Sequence, residues 1–531
     1  VLPDTTLFAA YFNRVTQVST LRQDTDIYLF NARHAISPSE QLIGYGYFLG
    51  WDAAPATSTR TLGVRLDGAH PLKDDWELLY TAEYAKQDPY KSGASTIDSH
   101  YARLGTGTRH GAWYARIDQE VLSSNGGVSA FQTPLGTNHL FQGWVDKFLT
   151  TPNAGIRDTF VTAGTRLGGF TLATEHQAVN LGQGFPDFDC DPRLLDAVDD
   201  AMRRGLNQYP PMTGVPALRE AVSAKVEALY GRRYDPATEV TITAGATQAI
   251  ITIILAVVHP GDEVIVLEPC YDSYVPNIEL AGGVVVPVPL TPRTFRPDFD
   301  RIAAAITPRT RAIIINSPHN PSGTVWSGQD MLRLQELLAP TDILLISDEV
   351  YEHMVFDGQP HESAARYPGL AARSFIVSSF GKTYHVTGWK VAYVAAPAAL
   401  TAEFRKVHQF NVFTVNTPVQ HGLAAYMADP KPYLELPAFY QRKRDLFRQG
   451  LAGSRLKLLP SEGTYFQCVD ISEVSDLPES EFCQWLTREI GVAAIPLSAF
   501  YGNGFDQRVV RFCFAKKDET LQTALERLAR L

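Results

Sequence analysis

Cysteine is scarce in this chain, and it is never paired. The five cysteines, Cys190, Cys270, Cys468, Cys483 and Cys513, stand singly with no Cys-x-x-Cys among them. That pattern fits thiols in a reducing compartment better than a disulfide framework. The thirteen histidines are scattered without metal-ligand spacing, so no metal is expected. Long apolar runs are also missing. No run reaches the ~18 residues of a membrane helix, and the most apolar stretch, Ala249 to Val258, is the length of a buried helix. Positive charge is in deficit: the net charge of −10 argues against a general nucleic-acid binder. The opening Val1-Leu2-Pro3-Asp4 has neither the basic nor the apolar part of a signal peptide. It does not start with Met, so a processed or truncated N-terminus is expected. What remains is 531 residues with 45% hydrophobic content, too long for one ordinary domain and apolar enough for real cores.

Residues 1 to about 170 read as strands. In Asp26-Ile27-Tyr28-Leu29-Phe30-Asn31-Ala32-Arg33, Gln41-Leu42-Ile43-Gly44-Tyr45-Gly46-Tyr47-Phe48 and Trp76-Glu77-Leu78-Leu79-Tyr80-Thr81-Ala82-Glu83-Tyr84, apolar and polar residues tend to alternate. Tyr101 to Thr106 and Ala112 to Ile117 do the same. A period of two gives strands with two unlike faces. Turn clusters such as Lys91-Ser92-Gly93-Ala94-Ser95 separate them. About eight or nine such strands, rich in Tyr and Trp, suggest an antiparallel up-and-down barrel. A soluble barrel would turn its apolar face inward; an outer-membrane barrel would turn it to lipid. The segments Phe131 to Thr137 and Gly143 to Pro152 resemble late strands of the alginate-export family of outer-membrane barrels. The resemblance implies a barrel fragment over residues 1–170, with membrane association and an outer-membrane location as an alternative to a cytoplasmic one. An export porin is then the alternative function.

Near Gly168-Gly169-Phe170-Thr171 the pattern changes with no Pro/Ser/Gly linker, which is unusual between natural domains. The expectation is that two reading frames or two proteins have been joined here.

From Leu172 onward the chain reads as α/β. Helical pattern covers Arg193 to Arg204 and Val215 to Tyr230. Short β-branched or apolar runs follow at Glu239–Thr243, Glu263–Leu267, Gly283–Val288, Arg311–Ile315, Ile343–Ser347 and Ser374–Val377. Such runs separated by helices predict a mostly parallel, buried sheet, with functional residues at the strand ends. The stretch that organises this part is Ser378-Ser379-Phe380-Gly381-Lys382-Thr383, with Thr387-Gly388-Trp389-Lys390 behind it. A Walker A loop would need Gly at position 376, which is Ile. A lysine at a strand end, partly desolvated, can lose its proton near neutral pH and attack a carbonyl. Most loop lysines are merely solvated surface charges, so its neighbours along the chain must carry the argument.

Those neighbours lie at other strand ends. Thr243-Ala244-Gly245-Ala246-Thr247-Gln248 opens a helix with small residues, either as a plain cap or as a nest for phosphate. Glu268-Pro269-Cys270-Tyr271 places an aromatic after a strand, for packing or for stacking on a ligand. The polar turn Asn316-Ser317-Pro318-His319-Asn320-Pro321-Ser322-Gly323 is richer than a generic loop needs. Ser347-Asp348-Glu349-Val350-Tyr351 puts a carboxylate at an apolar strand end, where it needs a cationic or protonated partner.

As a set, with Leu181-Gly182-Gln183-Gly184-Phe185-Pro186-Asp187-Phe188, Asn207-Gln208-Tyr209 and Gly388-Trp389-Lys390, these segments resemble the fold-type I aminotransferases of class I/II. The methionine and kynurenine/glutamine aminotransferase branch is the nearest in kind. The resemblance implies pyridoxal 5′-phosphate as cofactor and residue roles to match. Lys382 would hold the cofactor as a Schiff base and shuttle the substrate Cα proton. Asp348 would pair with the pyridine nitrogen. Tyr351 and Asn320 would hydrogen-bond the ring oxygen, and Tyr271 would stack on the ring. Gly245, Ala246, Thr247, Ser379 and Lys390 would bind phosphate, with Tyr209 reaching the phosphate of a neighbouring subunit in a homodimer. Arg511, with Gly184 and Asn320, would hold the substrate carboxylate; a surface ion pair is its bland alternative. The pocket wall would include His408, Phe410, Phe413 and Tyr501. The implied domains are a cofactor-binding domain at 206–414 and a small domain from 171–205 and 415–531. The implied reaction is transamination between an L-amino acid of methionine, glutamine or aromatic type and a 2-oxo acid. A cysteine-S-conjugate β-lyase is the alternative on the same site. The family's N-terminal arm, which covers the pocket and braces the dimer, is replaced here by the strand-rich sequence.

Overall fold

A computed structural model of the chain describes residues 4–16, 22–51, 55–111, 113–125, 129–131, 156–167, 170–175 and 178–531. Residues 132–137 and 143–152, read above as late strands, and the junction pair Gly168-Gly169 lie outside the described residues. The chain forms two compact units, Val1–Gln177 and Ala178–Leu531.

The first unit holds a nine-stranded antiparallel sheet in simple sequence order. Its strands are β1 (Thr5–Thr16), β2 (Arg22–Ser37), β3 (Glu40–Trp51), β4 (Thr59–Pro71), β5 (Trp76–Pro89), β6 (Ser99–His110), β7 (Trp113–Leu122), β8 (Ile156–Leu167) and β9 (Phe170–Glu175). The alternation read from sequence becomes two faces. Tyr28 stands opposite Tyr11 on one side and Phe48 on the other, and Val64 opposite Tyr84, so these share a face. On the other face Arg65 stands opposite Glu83, and Arg103 and Arg116 both bond Asp118. A closed barrel is not found among the described residues: the sheet is open, with β1 and β9 at its edges. Alternation fixes which face a side chain takes, but closure depends on pairing of the first and last strands, which no local pattern encodes.

The second unit is built on a seven-stranded sheet. Its strands are β10 (Val240–Thr243), β11 (Glu263–Glu268), β12 (Val284–Pro289), β13 (Thr310–Asn316), β14 (Leu344–Asp348), β15 (Ser374–Ser379) and β16 (Ala392–Ala395). They lie in the order β10-β16-β15-β14-β13-β11-β12. Five strands, β11 to β15, pair in parallel; β16 runs antiparallel to both β10 and β15, so the sheet is mixed. The six strands expected from sequence are all present. The four-residue, alanine-containing β16 has no β-branched run long enough to announce it.

Both faces of this sheet are covered, which is why its strands read as continuous apolar runs. Ile313, Ile315 and Leu345 enter one core with Ile242 and Ile265. Ala312, Ile314 and Ile346 enter another with Ile250, Ile253 and Val377. Each fully buried Ile or Leu contributes about 1.5–3 kcal/mol.

The helices follow from ordinary end signals. In α1 (Pro192–Arg203), the Asp191 side chain accepts from the Arg193 amide and Pro192 starts the first turn. In α2 (Pro216–Tyr230), Gly231 closes the end with φ 75°. A four-stranded antiparallel sheet forms from β17 (Lys457–Leu458), β18 (Phe466–Asp470), β19 (Ile495–Pro496) and β20 (Val509–Cys513), in the order β17-β18-β20-β19. None of the described helices is long and apolar enough to cross a membrane.

Candidate active site

The parallel register places chemistry at one edge. Asn316 is level with Asp348 and Asp348 with Val377, so β13 and β14 reach their carboxyl ends together and β15 ends two residues further on, at Ser379. There they open on a cavity of about 370 Å³. Its lining includes Gly184, Gly245, Ala246, Thr247, Tyr271, Asn320, Asp348, Tyr351, Ser379, Lys382, Lys390 and Arg511. Twelve residues singled out from sequence, spread over more than 320 positions, thus meet around one space. Tyr209 does not join them. It is 84% exposed and packs edge-on against Phe413, with ring centroids 5.7 Å apart.

One end of the cavity suits an anion. Helix α3 (Ala246–Val257) begins at Gly245, whose φ of 88° favours glycine, and no side chain among the described residues caps it. The first amides are left open at the positive end of the helix dipole. Lys390 sits beside them: a Cβ placed on Gly245 would lie 3.2 Å from Lys390 Cε and 3.4 Å from its Nζ. Tyr271 forms an aromatic wall, its hydroxyl 3.3 Å from Thr247 Oγ1.

Asp348 forms the floor. Its carboxyl is buried; Tyr274 donates to Oδ2 at 2.6 Å and the Val350 amide to Oδ1 at 3.3 Å. Burial pushes it up to about 6, against the pull of those donors. Among the described residues no cation forms an ion pair with this carboxyl, and the Lys382 charge acts on it only weakly.

Lys382 is partly buried. Its Nζ donates to Tyr465 Oη at 2.9 Å and to the Gly184 carbonyl at 3.3 Å. Burial pulls its pKa down to about 8, with nearby Arg511 and Lys390 adding to the fall. The amine is therefore substantially neutral in mildly alkaline solution, the condition for a nucleophile.

Arg511, on β20, is 4% exposed. It donates to Asn320 Oδ1 at 2.8 Å and to the Gly182 carbonyl at 2.9 Å, while its buried Nε has no partner among the described residues. The guanidinium stacks on Phe466 at 4.0 Å. Burial lowers its pKa, yet it stays a cation beside a cavity, which calls for an anionic ligand.

The expected pocket wall needs correction. His408 is fully buried, 3.3 Å from Gln248 and stacked on Phe404. Phe410 is 85% exposed and Phe413 40% exposed. Tyr501 is buried, bonded to Gln507 at 2.6 Å. None lines the cavity; Phe466, Ile495 and Phe500 do. On a helix, sequence gives a residue's neighbours but not which of several buried faces it serves. Tyr274 and Tyr465 were missed. Tyr274 stands three residues after Tyr271, and Asp348's need for a donor was the available hint. Tyr465 precedes an apolar strand, where an aromatic carries no signal.

An aminotransferase site of the pyridoxal-phosphate type accounts for each of these features, and the donors present fit that group. The uncapped helix start and Lys390 suit its phosphate, Tyr271 its ring face, Asp348 its pyridine nitrogen and Lys382 its carbonyl carbon. The chain belongs to the aminotransferase class I and II family, whose profile matches residues 176–528. It is an enzyme, a transaminase that uses pyridoxal phosphate.

Among its relatives is methionine aminotransferase of Escherichia coli, 53% identical over 361 residues, covering 68% of this chain and 94% of that protein. Kynurenine–oxoglutarate transaminase 1 of Homo sapiens is 36% identical over 393 residues, covering 67% and 93%. Among solved structures, Escherichia coli YbdL, described with a methionine aminotransferase function, has a TM-score of 0.66 over 67% of this chain and 94% of its own. N-succinyldiaminopimelate aminotransferase of Mycobacterium tuberculosis has a TM-score of 0.64 at 42% identity, over 66% and 93%.

Proposed function

We propose that this enzyme transfers the amino group of an L-amino acid of methionine, glutamine or aromatic type to a 2-oxo acid. One observation carries the reading: the buried Arg511 fork and the desolvated Lys382 amine face the same cavity. Arg511, with Asn320 and Gly184, holds the substrate carboxylate, and Phe466, Ile495 and Phe500 offer an apolar wall to the side chain. Lys382 would hold the cofactor through its amine and, once free, would take the proton from substrate Cα. The cofactor, when bound, supplies the electron sink that makes this proton removable. Asp348 would keep the pyridine nitrogen protonated. Tyr351 and Asn320 would bond the ring oxygen, and Tyr271 would stack on the ring. Gly245, Ala246, Thr247, Ser379 and Lys390 would cradle the phosphate. The similarity to methionine aminotransferase supports the methionine type among these.

The proposed domains are residues 206–414 for the cofactor and residues 171–205 with 415–531 for closure over substrate. A homodimer in the cytoplasm is proposed as the working form, with exposed Tyr209 completing the neighbour's phosphate site. The test is borohydride reduction of the holoenzyme with peptide mapping. A reduced adduct on Lys382, and loss of turnover in Lys382→Ala, are expected; full turnover in that variant would sink the reading.

For residues 1–170 a membrane-facing sheet of outer-membrane type is proposed, joined to the enzyme at the linker-free boundary. The favouring observation is the contrast of its faces. Leu7, Phe30, Leu62, Val64, Leu104 and Ile117 are each at least 48% exposed on one face. The other carries bonded charges, among them Asp118, which is fully buried. Vesicle flotation of residues 1–170 tests this, and a peptide spanning 160–185 from the native source tests the junction.

A further inference from the structure

We infer that Tyr465 is a positioning residue for Lys382: with the Gly184 carbonyl it holds the free amine by both hydrogens, so that the nitrogen lone pair faces the substrate Cα. The inference rests on the transaminase reading and deepens it.

The argument is one of proton counting. The Gly184 carbonyl can only accept, and Tyr465 Oη lies 2.6 Å from it, so the single phenol hydrogen is committed there. Toward Lys382, 2.9 Å away, the phenol can then only accept. Lys382 also reaches the Gly184 carbonyl at 3.3 Å. A neutral amine has two hydrogens and one lone pair. With one hydrogen on Tyr465 and the other on Gly184, the lone pair is the only feature left to point into the cavity. The lowered pKa of Lys382 makes that neutral form accessible.

The place is as telling as the orientation. Gly184 belongs to the segment proposed to hold the substrate carboxylate, and Cα is one bond from that carboxylate. An amine parked at Gly184 therefore waits beside the carbon whose proton it must remove. Tyr465 is itself immobilised. It is fully buried, packed edge-on against Tyr351 at 5.2 Å and Phe466 at 4.8 Å. Thr464 takes φ 65°, so the chain turns immediately before the ring and enters β18 after it. In the half-reaction that removes the substrate's amino group, the released Lys382 would receive the Cα proton on its lone pair and pass it on; in the other it would return a proton to Cα and regain its covalent bond. Tyr465 neither gains nor loses one.

Tyr465→Phe tests this with the ring packing kept. In the holoenzyme, kcat is expected to fall about tenfold, the effect of one lost hydrogen bond at the reacting group, while KM for the amino acid changes less than about twofold. The kinetic isotope effect with Cα-deuterated amino acid should rise, because proton transfer becomes slower. In apoprotein, acetylation mapped to Lys382 should titrate at lower pH than in the wild type, since the ammonium form loses an acceptor. Borohydride should still lock the cofactor onto Lys382. Unchanged kcat, isotope effect and Lys382 titration would overturn the inference while leaving the transaminase reading intact. A wild-type enzyme that does not transaminate would overturn both. If Tyr465→Phe is unstable, 3-fluorotyrosine at 465, a weaker acceptor, must give a smaller change of the same sign, and no change overturns the inference.

Discussion

Tyr274 donates its phenol hydrogen to Asp348 Oδ2 across 2.6 Å, and neither residue is more than 3% exposed. That bond lowers the pKa of a carboxyl that burial has raised. In Tyr274→Phe the carboxyl should rise further above about 6. An Asp348 that holds its own proton pairs less well with a protonated pyridine nitrogen. Cofactor retention should weaken about tenfold, in line with the loss of one bond to a charged group. Equilibrium dialysis of cofactor at pH 7.5 measures it, and equal retention would leave Tyr274 as packing alone.

The pH dependence of the apoprotein carries two opposite signatures. Lys382 titrates near 8 in the fold against an ordinary 10.5, so between those values the unfolded chain holds a proton that the folded chain lacks. Stability from this group therefore rises with pH across that window. Asp348 titrates near 6 against 3.8, so the folded chain holds the extra proton and stability falls between about 4 and 6. Urea melts in each window, with Lys382→Met and Asp348→Asn as controls, should lose each slope separately. The rate of cofactor capture should rise through pH 8, because the neutral amine is the nucleophile.

Lys225 forms a buried ion pair with Glu352 at 2.6 Å, both side chains 5% exposed or less. Burial pushes the Glu352 carboxyl up, but Lys225 and His353 outweigh it and hold it well below the usual range. Glu352 also accepts from Tyr393 at 3.0 Å and from Ser378, next to the cavity-lining Ser379. Lys225→Met leaves that carboxylate buried without its cation and should cost about 3–5 kcal/mol, read from denaturant midpoints. Lys225→Met with Glu352→Gln should recover part of the loss.

Arg511→Lys keeps the charge and removes the planar fork. The shorter reach and single ammonium cannot bond Asn320, the Gly182 carbonyl and a carboxylate together. kcat/KM for the amino acid should fall about a hundredfold, with the cofactor spectrum unchanged.

The sequence was most legible where chemistry is tied to strand ends. Lys382, Asp348 and Asn320 each follow an apolar run, and a parallel register brings such ends together without further information. Tyr465 was illegible because its role lies in a contact with residue 184, 281 positions away, and its local setting is an ordinary apolar strand entry. His408 misled for the complementary reason: α-helical spacing marks it as buried, and burial behind α3 looks the same in sequence as burial beside a ligand. In the first unit the two faces were visible in alternation, whereas closure of the sheet was not.

The level ending of β13 and β14 has a consequence for how the enzyme can change over time. One residue added inside β14 would move Asp348 out of step with Asn316 and turn it to the opposite face of the sheet. The same residue added in the loops at the other end of these strands would leave the rim untouched. Length variation is thus tolerated at the amino ends and forbidden inside the strands. Drift in this fold is polarised along the strand direction, whatever substrate the rim has come to serve.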